Sequence, residues 1–84
     1  MVLNIKKTNF VLVTGACGRI ASEVVFYIAK KGYNLLIIDI NESSLVDLKS
    51  KILKQFPKIE VKYFSIDCTS DKSIKSIFNW IFLK

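Results

Sequence analysis

The sequence predicts an α/β fold with a parallel sheet, and three observations carry that expectation. Short apolar runs, FVLVT at 10–14 and NLLIID at 34–39, alternate with stretches whose apolar residues recur at helical spacing. The connections between these runs are brief, as in units where each strand leads directly into a packing helix. The first strand-to-helix junction, Thr14 to Ala21, reads TGACGRIA and places two glycines three positions apart. Gly makes tight turns and lets a ligand approach the backbone.

FVLVT is rich in β-branched residues and has the length of a strand buried on both faces. From Gly18 to Lys31 the pattern is helical, with Ile20, Val24, Tyr27 and Ile28 as the apolar stripe and Val25 flanking it. Lys30 and Lys31 suit the negative end of the helix dipole, and Gly32 suits a left-handed cap. NLLIID follows as a second buried strand, closed by Asp39. Asn41 is placed to N-cap a second helix whose buried face is Leu45, Leu48, Ile52 and Phe56, and Pro57 ends that helix. IEVKYFSID, at 59–67, begins with alternation and becomes apolar, as a strand near a sheet edge does.

Thr69 or Ser70 is placed to cap a third helix, with Asp71 in its first turn and Ile74, Ile77, Phe78 and Ile81 as its buried stripe. The order is therefore β-α-β-α-β-α. Right-handed crossovers then give a three-stranded parallel sheet in the order 3-2-1 with helices on both faces, half of a doubly wound Rossmann fold.

At 84 residues the chain is one small partial domain, 1–84, and such a chain buries only about 60–65% of its unfolded surface. A hydrophobic content of 51% excludes a disordered tail. The two cysteines, Cys17 and Cys68, form neither a disulfide framework nor a metal motif, and the absence of His removes the commonest metal ligand. The net charge of +6 rests on lysines scattered along the chain, with no basic block, so neither nucleic acid nor a membrane is an expected partner. MVLNIKK is too short and polar for a secretory signal, and no apolar run approaches the ~20 residues of a membrane span. The expected setting is cytoplasmic.

The glycine junction fits the dinucleotide fingerprint, a glycine loop between strand and helix with an acidic residue about 20 positions later. Gly15 makes the turn out of the strand, and Gly18 lets the chain pass close to a pyrophosphate. Ala21 stands where a small residue lets helix and strand pack. Cys17 completes the loop, and the backbone N–H groups near Arg19 and Ile20 face the ligand from the helix N-terminus. Asp39 lies at the required distance to accept hydrogen bonds from a ribose diol. Its charge repels a 2′-phosphate, which favours NAD over NADP.

TGACGRIA, together with IIDIN and SIDCTS, resembles the short-chain dehydrogenase/reductase family over about residues 8–82. The loop follows that family's T-G-x-x-G-x-x-G spacing, with Ala21 in place of the last glycine. The resemblance implies that Asp67-Cys68-Thr69 corresponds to the family's D-V-T or D-L-T segment, where Asp67 meets the adenine amino group and Cys68 lines the ring edge. It also implies hydride-transfer chemistry by a Ser and a Tyr-x-x-x-Lys pair lying after a fourth strand.

Those segments do not occur here in their place. Tyr27-Ile28-Ala29-Lys30-Lys31 matches Tyr-x-x-x-Lys, but it lies on the first helix, directly after the loop, and reads as a structural stripe and a helix end. The chain is therefore expected to be the dinucleotide-binding portion of an oxidoreductase, truncated before its catalytic half and inactive alone. The alternatives are a stand-alone, non-catalytic NAD-binding module and an assembly module. With no fourth strand the first strand's outer edge would lie open. Trp80, Phe82 and Leu83 add apolar surface, so self-association or a covering partner segment is expected.

Overall fold

The computed structural model describes residues 2–5 and 9–67, together with the single positions 72, 75, 76 and 79. The elements are β1 (Val2–Ile5), β2 (Phe10–Thr14), α1 (Arg19–Lys30), β3 (Asn34–Asp39), α2 (Glu42–Gln55) and β4 (Val61–Ser65).

β2, β3 and β4 are parallel, as the alternation of apolar runs and helices requires. Phe10 to Thr14 pair with Asn34 to Ile38, and Leu35 to Asp39 pair with Val61 to Ser65. The expected 3-2-1 order is thus present as β4-β3-β2. The sheet nevertheless has four strands, because β1 adds to the outer edge of β2 in antiparallel fashion, Val2 opposite Val13 and Ile5 opposite Phe10. The open first-strand edge expected above is therefore corrected: β1 covers it, and one of the two grounds for expecting self-association goes with it. Asn9 adopts φ 58° immediately before β2, a left-handed turn that Asn tolerates better than most residues.

β3 is the centre of the core. Leu35, Leu36, Ile37 and Ile38 are all fully buried, each contributing about 1.5–3 kcal/mol relative to exposure. Because side chains alternate across a strand, this run feeds two clusters. Leu35 and Ile37 join Val11, Val13, Val25, Ala29, Leu45 and Ile52 beneath α1 and α2, which share one face of the sheet. Leu36 and Ile38 join Phe10 and Leu12 on the other face, with Phe64 and Ile66 against them.

α2 matches its sequence pattern: Leu45, Leu48 and Ile52 are buried, Asn41 caps it, and Phe56 with Pro57 ends it. α1 is rotated from the expected stripe. Val25 and Ala29 are its buried residues, whereas Ile20 and Tyr27 are 78% and 62% exposed. Two of its small residues face the core, Ala29 buried and Ala21 partly buried against it. Gly32, at φ 89°, ends α1 in the left-handed conformation as expected. The expected third helix, with its cap at Thr69 or Ser70 and the apolar residues through Leu83, lies outside the described residues apart from helical Lys72, Lys75, Ser76 and Asn79.

Candidate functional site

Parallel strands bring the segments that follow them to the same end of the sheet. Gly15, Cys17, Gly18, Arg19 and Ile20 follow β2, Asp39 ends β3, and Asp67 stands just beyond β4, so all seven described candidates gather at one edge. Cys68 lies outside the described residues.

The two loop glycines stand in different surroundings. Gly15 has φ 64°, a left-handed turn with open space around it, so backbone conformation is what selects Gly there. Gly18 has φ −64°, which any residue adopts, but a Cβ on it would sit 3.2 Å from the Gly15 carbonyl oxygen. The turn between them closes through the Gly18 N–H, which donates to that same carbonyl at 3.0 Å. The Ala16 N–H donates to the Ile38 carbonyl at 3.0 Å and anchors the loop to β3.

α1 begins without a cap. Gly18 offers no side-chain acceptor, and no acidic residue lies in the first turn. The Ser22 N–H donates to the Gly18 carbonyl at 2.8 Å. Helix geometry therefore leaves the N–H groups of Arg19, Ile20 and Ala21 without an intrahelical acceptor. α2 is the contrast: Asn41 Oδ1 accepts from the Ser44 N–H at 3.1 Å and from the Ser43 hydroxyl at 2.8 Å, and Glu42 lies in the first turn.

Asp39 faces this loop. Its Oδ2 accepts from the Cys17 N–H at 2.9 Å, and its Oδ1 accepts from the Ile40 N–H at 2.7 Å. A carboxylate offers about four lone-pair sites, so acceptor capacity is left beyond these two amides. The end of β4 is tied to the same place. The Ile66 N–H donates to the Asp39 carbonyl at 2.9 Å, and the Ser65 hydroxyl donates to the Ile40 carbonyl at 3.1 Å.

The Cys17 side chain packs against the helix-side core. It borders a cavity of about 280 Å³ between α1 and α2, with Ser22 and Phe26 on one side and Ser44 and Leu48 on the other. Burial pushes its thiol above the ordinary range, and the charge of Asp39 and a hydrogen bond to it add in the same direction. The thiol is held protonated, which argues against nucleophilic chemistry there.

Two features of this edge escaped sequence reasoning. The Cys17 amide contact has no sequence signature, because every residue carries an N–H. Ile40 is 69% exposed beside Asp39, and an apolar residue just past a strand end was its only signal. Among the described residues no cluster of His, Cys, Asp and Glu could hold a metal ion, and no helix is long and apolar enough to cross a membrane.

Very-long-chain 3-oxoacyl-CoA reductase of Kluyveromyces lactis is 43% identical over 65 residues, which cover 77% of this chain and 18% of that protein. Putative steroid dehydrogenase 1 of Caenorhabditis elegans is 36% identical over 62 residues, covering 74% of this chain and 20% of that protein. The chain thus spans about a fifth of the length of the curated relatives it matches.

Among solved structures, YwfH, an NADPH dependent reductase involved in bacilysin biosynthesis, is similar at TM-score 0.80 and 24% identity over 83% of this chain and 30% of that one. The bulky-bulky ketone specific alcohol dehydrogenase from Comamonas testosteroni is similar at TM-score 0.73 and 23% identity, over 79% of this chain and 26% of that one. At such identities these two speak for the fold. The short chain dehydrogenase family profile matches residues 9–84, and with that match and the relatives' identity the chain belongs to the short chain dehydrogenase family of oxidoreductases, whose members bind a dinucleotide cofactor.

Proposed function

We propose that this chain binds a nicotinamide dinucleotide at the edge formed by Gly15–Ile20, Asp39 and Asp67, with NAD preferred over NADP. The observation that carries the reading is the uncapped N-terminus of α1, set on a glycine turn beside a carboxylate, whereas α2 has an Asn41 side-chain cap and an acidic residue in its first turn. Helix N–H groups with neither a side-chain acceptor nor an acidic neighbour suit an anionic ligand, and a pyrophosphate is that ligand in a strand–glycine loop–helix unit.

Each residue has a part in this reading. The N–H groups of Arg19 and Ile20 hold the pyrophosphate, and Gly18 keeps the approach clear. Asp39 accepts from the Cys17 and Ile40 amides and from the Cys17 thiol, and offers its remaining acceptor capacity to the adenosine ribose diol. A 2′-phosphate placed there would meet its negative charge. Cys17 acts through Asp39 and not by touching the dinucleotide, since its amide holds the carboxylate while its side chain packs under the helices. Asp67 and Cys68 complete the adenine end.

When bound, the dinucleotide supplies hydride chemistry. In this reading the residues of this chain bind and orient it. The reductase and dehydrogenase names of the relatives agree with that class of reaction.

Titration calorimetry with NAD and with NADP tests the reading. Binding of NAD at least tenfold tighter than NADP is expected, a difference of about 1.4 kcal/mol. Equal or tighter NADP binding removes the Asp39 argument, and a folded chain that binds neither removes the function.

A further inference from the structure

We infer that the Cys17 side chain is a specificity-determining residue, which sets how sharply Asp39 discriminates between a ribose diol and a 2′-phosphate by sharing its carboxylate with the ligand. This role rests on the binding of a dinucleotide at this edge, as proposed above, and Cys17 fills it without touching the dinucleotide.

Three donors converge on Asp39. The Cys17 N–H reaches Oδ2 at 2.9 Å, the Ile40 N–H reaches Oδ1 at 2.7 Å, and the Cys17 thiol is hydrogen-bonded to the same carboxylate. Each oxygen is thus held by a backbone amide. The Cys17 amide belongs to a loop that the Ala16 N–H fastens to β3 and the Gly18 N–H closes on itself. Backbone alone therefore orients the carboxylate, and the thiol adds little to that orientation. What the thiol takes is acceptor capacity. Of about four lone-pair sites three are in use, which leaves about one for a diol that carries two hydroxyls. The thiol proton also draws charge from the carboxylate, and charge is what turns a 2′-phosphate away.

The surroundings leave Asp39 as the charge that the thiol answers to. From α2, Asp47 and Lys51 border the same cavity, but they pair with each other at 3.1 Å. From α1, only Ser22 and Phe26 border it, and neither is charged. Arg19, at the start of α1, is exposed. The cavity of about 280 Å³ gives the Cys17 side chain room to turn when a ribose hydroxyl takes its place on Asp39.

Removing the donor should therefore sharpen selection. Cys17→Ala frees a site for the diol and returns charge to Asp39, whereas Cys17→Ser keeps a donor of similar size. Loss of the thiol proton also sharpens selection, because it leaves a second negative charge beside Asp39.

Calorimetry with NADH and NADPH tests this on the parent, Cys17→Ala and Cys17→Ser, from pH 7 to about pH 9.5, the range that brackets the ordinary thiol pKa. At pH 7 the ratio of the NADPH to the NADH dissociation constant should be about two- to fivefold higher in Cys17→Ala than in the parent, the size of one modest hydrogen bond. In Cys17→Ser it should stay at or below the parent's. With rising pH the parent's ratio should climb, since burial and Asp39 hold the thiol protonated at neutrality. In both variants it should stay level. Any contribution of Cys68 is common to the three chains and cancels in the comparison. A merely structural thiol would move Tm and both affinities together and leave the ratio alone.

A parent that binds neither cofactor removes the proposed function and this role with it. A parent that prefers NADH, beside a Cys17→Ala chain whose ratio is unchanged or lower, overturns this role alone. A ratio that climbs with pH in Cys17→Ser does the same. If Cys17→Ala fails to fold, the parent and Cys17→Ser decide: a climbing ratio in the first with a level one in the second upholds the role, and any other pair of profiles overturns it.

Discussion

The Cys17 backbone N–H donates to Asp39 Oδ2 at 2.9 Å, joining a glycine turn to the end of the next strand across 22 residues of sequence. The carboxylate fixes the shape of the loop through the Cys17 and Ile40 amides. In the proposed function the same side chain also selects the ligand, and substitution separates the two roles.

Asp39→Ala should lower stability by about 1–2 kcal/mol, since the Cys17 amide loses its acceptor in a half-buried place and the exposed Ile40 amide loses its own. For a domain of this size that corresponds to a fall in Tm of roughly 4–16 °C. In calorimetry the same variant should bind NAD more weakly and show a narrower gap between NAD and NADP, because the ribose acceptor and the repulsion disappear together. An Asp39→Ala chain that melts like the parent would mean that the loop holds its shape without the carboxylate.

The two loop glycines should respond oppositely to substitution. Gly15→Ala puts a Cβ on a residue at φ 64° and should cost about 1–2 kcal/mol through backbone strain alone, since the space around it is open. Gly18→Val keeps an allowed φ but crowds the Gly15 carbonyl and fills the approach to the loop. It should lose dinucleotide binding more completely than it loses stability. Thermal melts read beside calorimetry separate the two, and a Gly18→Val chain that binds NAD normally would reduce the loop to a turn.

Much of this architecture is legible in the sequence because its signals are local. FVLVT and NLLIID become β2 and β3 with the expected bounds, and Asn41 and Pro57 bracket α2 through capping and ring chemistry. The glycine turn was legible because a tight exit from a strand calls for glycine, and Gly15 indeed has φ 64°. The failures are non-local. β1 is a four-residue strand whose only turn signal is Asn9, and its pairing with β2 depends on the tertiary edge. The rotation of α1 was hidden because large apolar residues dominate a hydropathy pattern, so that Ala29 gives no sign of being buried, while Ala21 is legible from the loop spacing. The Cys17 amide contact depends on backbone placement, which spacing alone does not give.

The Cys17 thiol sets a pH dependence with a definite sign. Its folded pKa is raised by burial first and by Asp39 second. The native state therefore keeps the proton longer than the unfolded chain. The associated stability is fully present below the unfolded value, about 8.5, and is lost as pH rises through the folded pKa. In a Cys68→Ser background, Asp39→Asn should lower the thiol pKa and speed alkylation of Cys17 at mildly alkaline pH. Alkylation no faster than in the parent would show that burial alone sets the shift.

Tyr27 and Lys31 form the one Tyr-x-x-x-Lys in the chain, and their surroundings argue against a catalytic pair. Tyr27 is 62% exposed on α1, and the Lys31 ammonium lies 5.3 Å from its ring centroid at the helix end. A cation over an exposed ring contributes about 0.5–1 kcal/mol, so the pair helps to finish the helix. It also lies at the opposite end of α1 from Arg19, and hence away from the glycine loop. Tyr27→Phe keeps the aromatic face and should leave NAD affinity and Tm within error of the parent. Tyr27→Ala should cost less than about 1 kcal/mol. Carbonyl reduction with NADH or NADPH should be absent from the chain alone, whatever ketone is offered. A measurable rate that Tyr27→Phe abolishes would place the reaction on α1 and make this exposed pair a catalytic one.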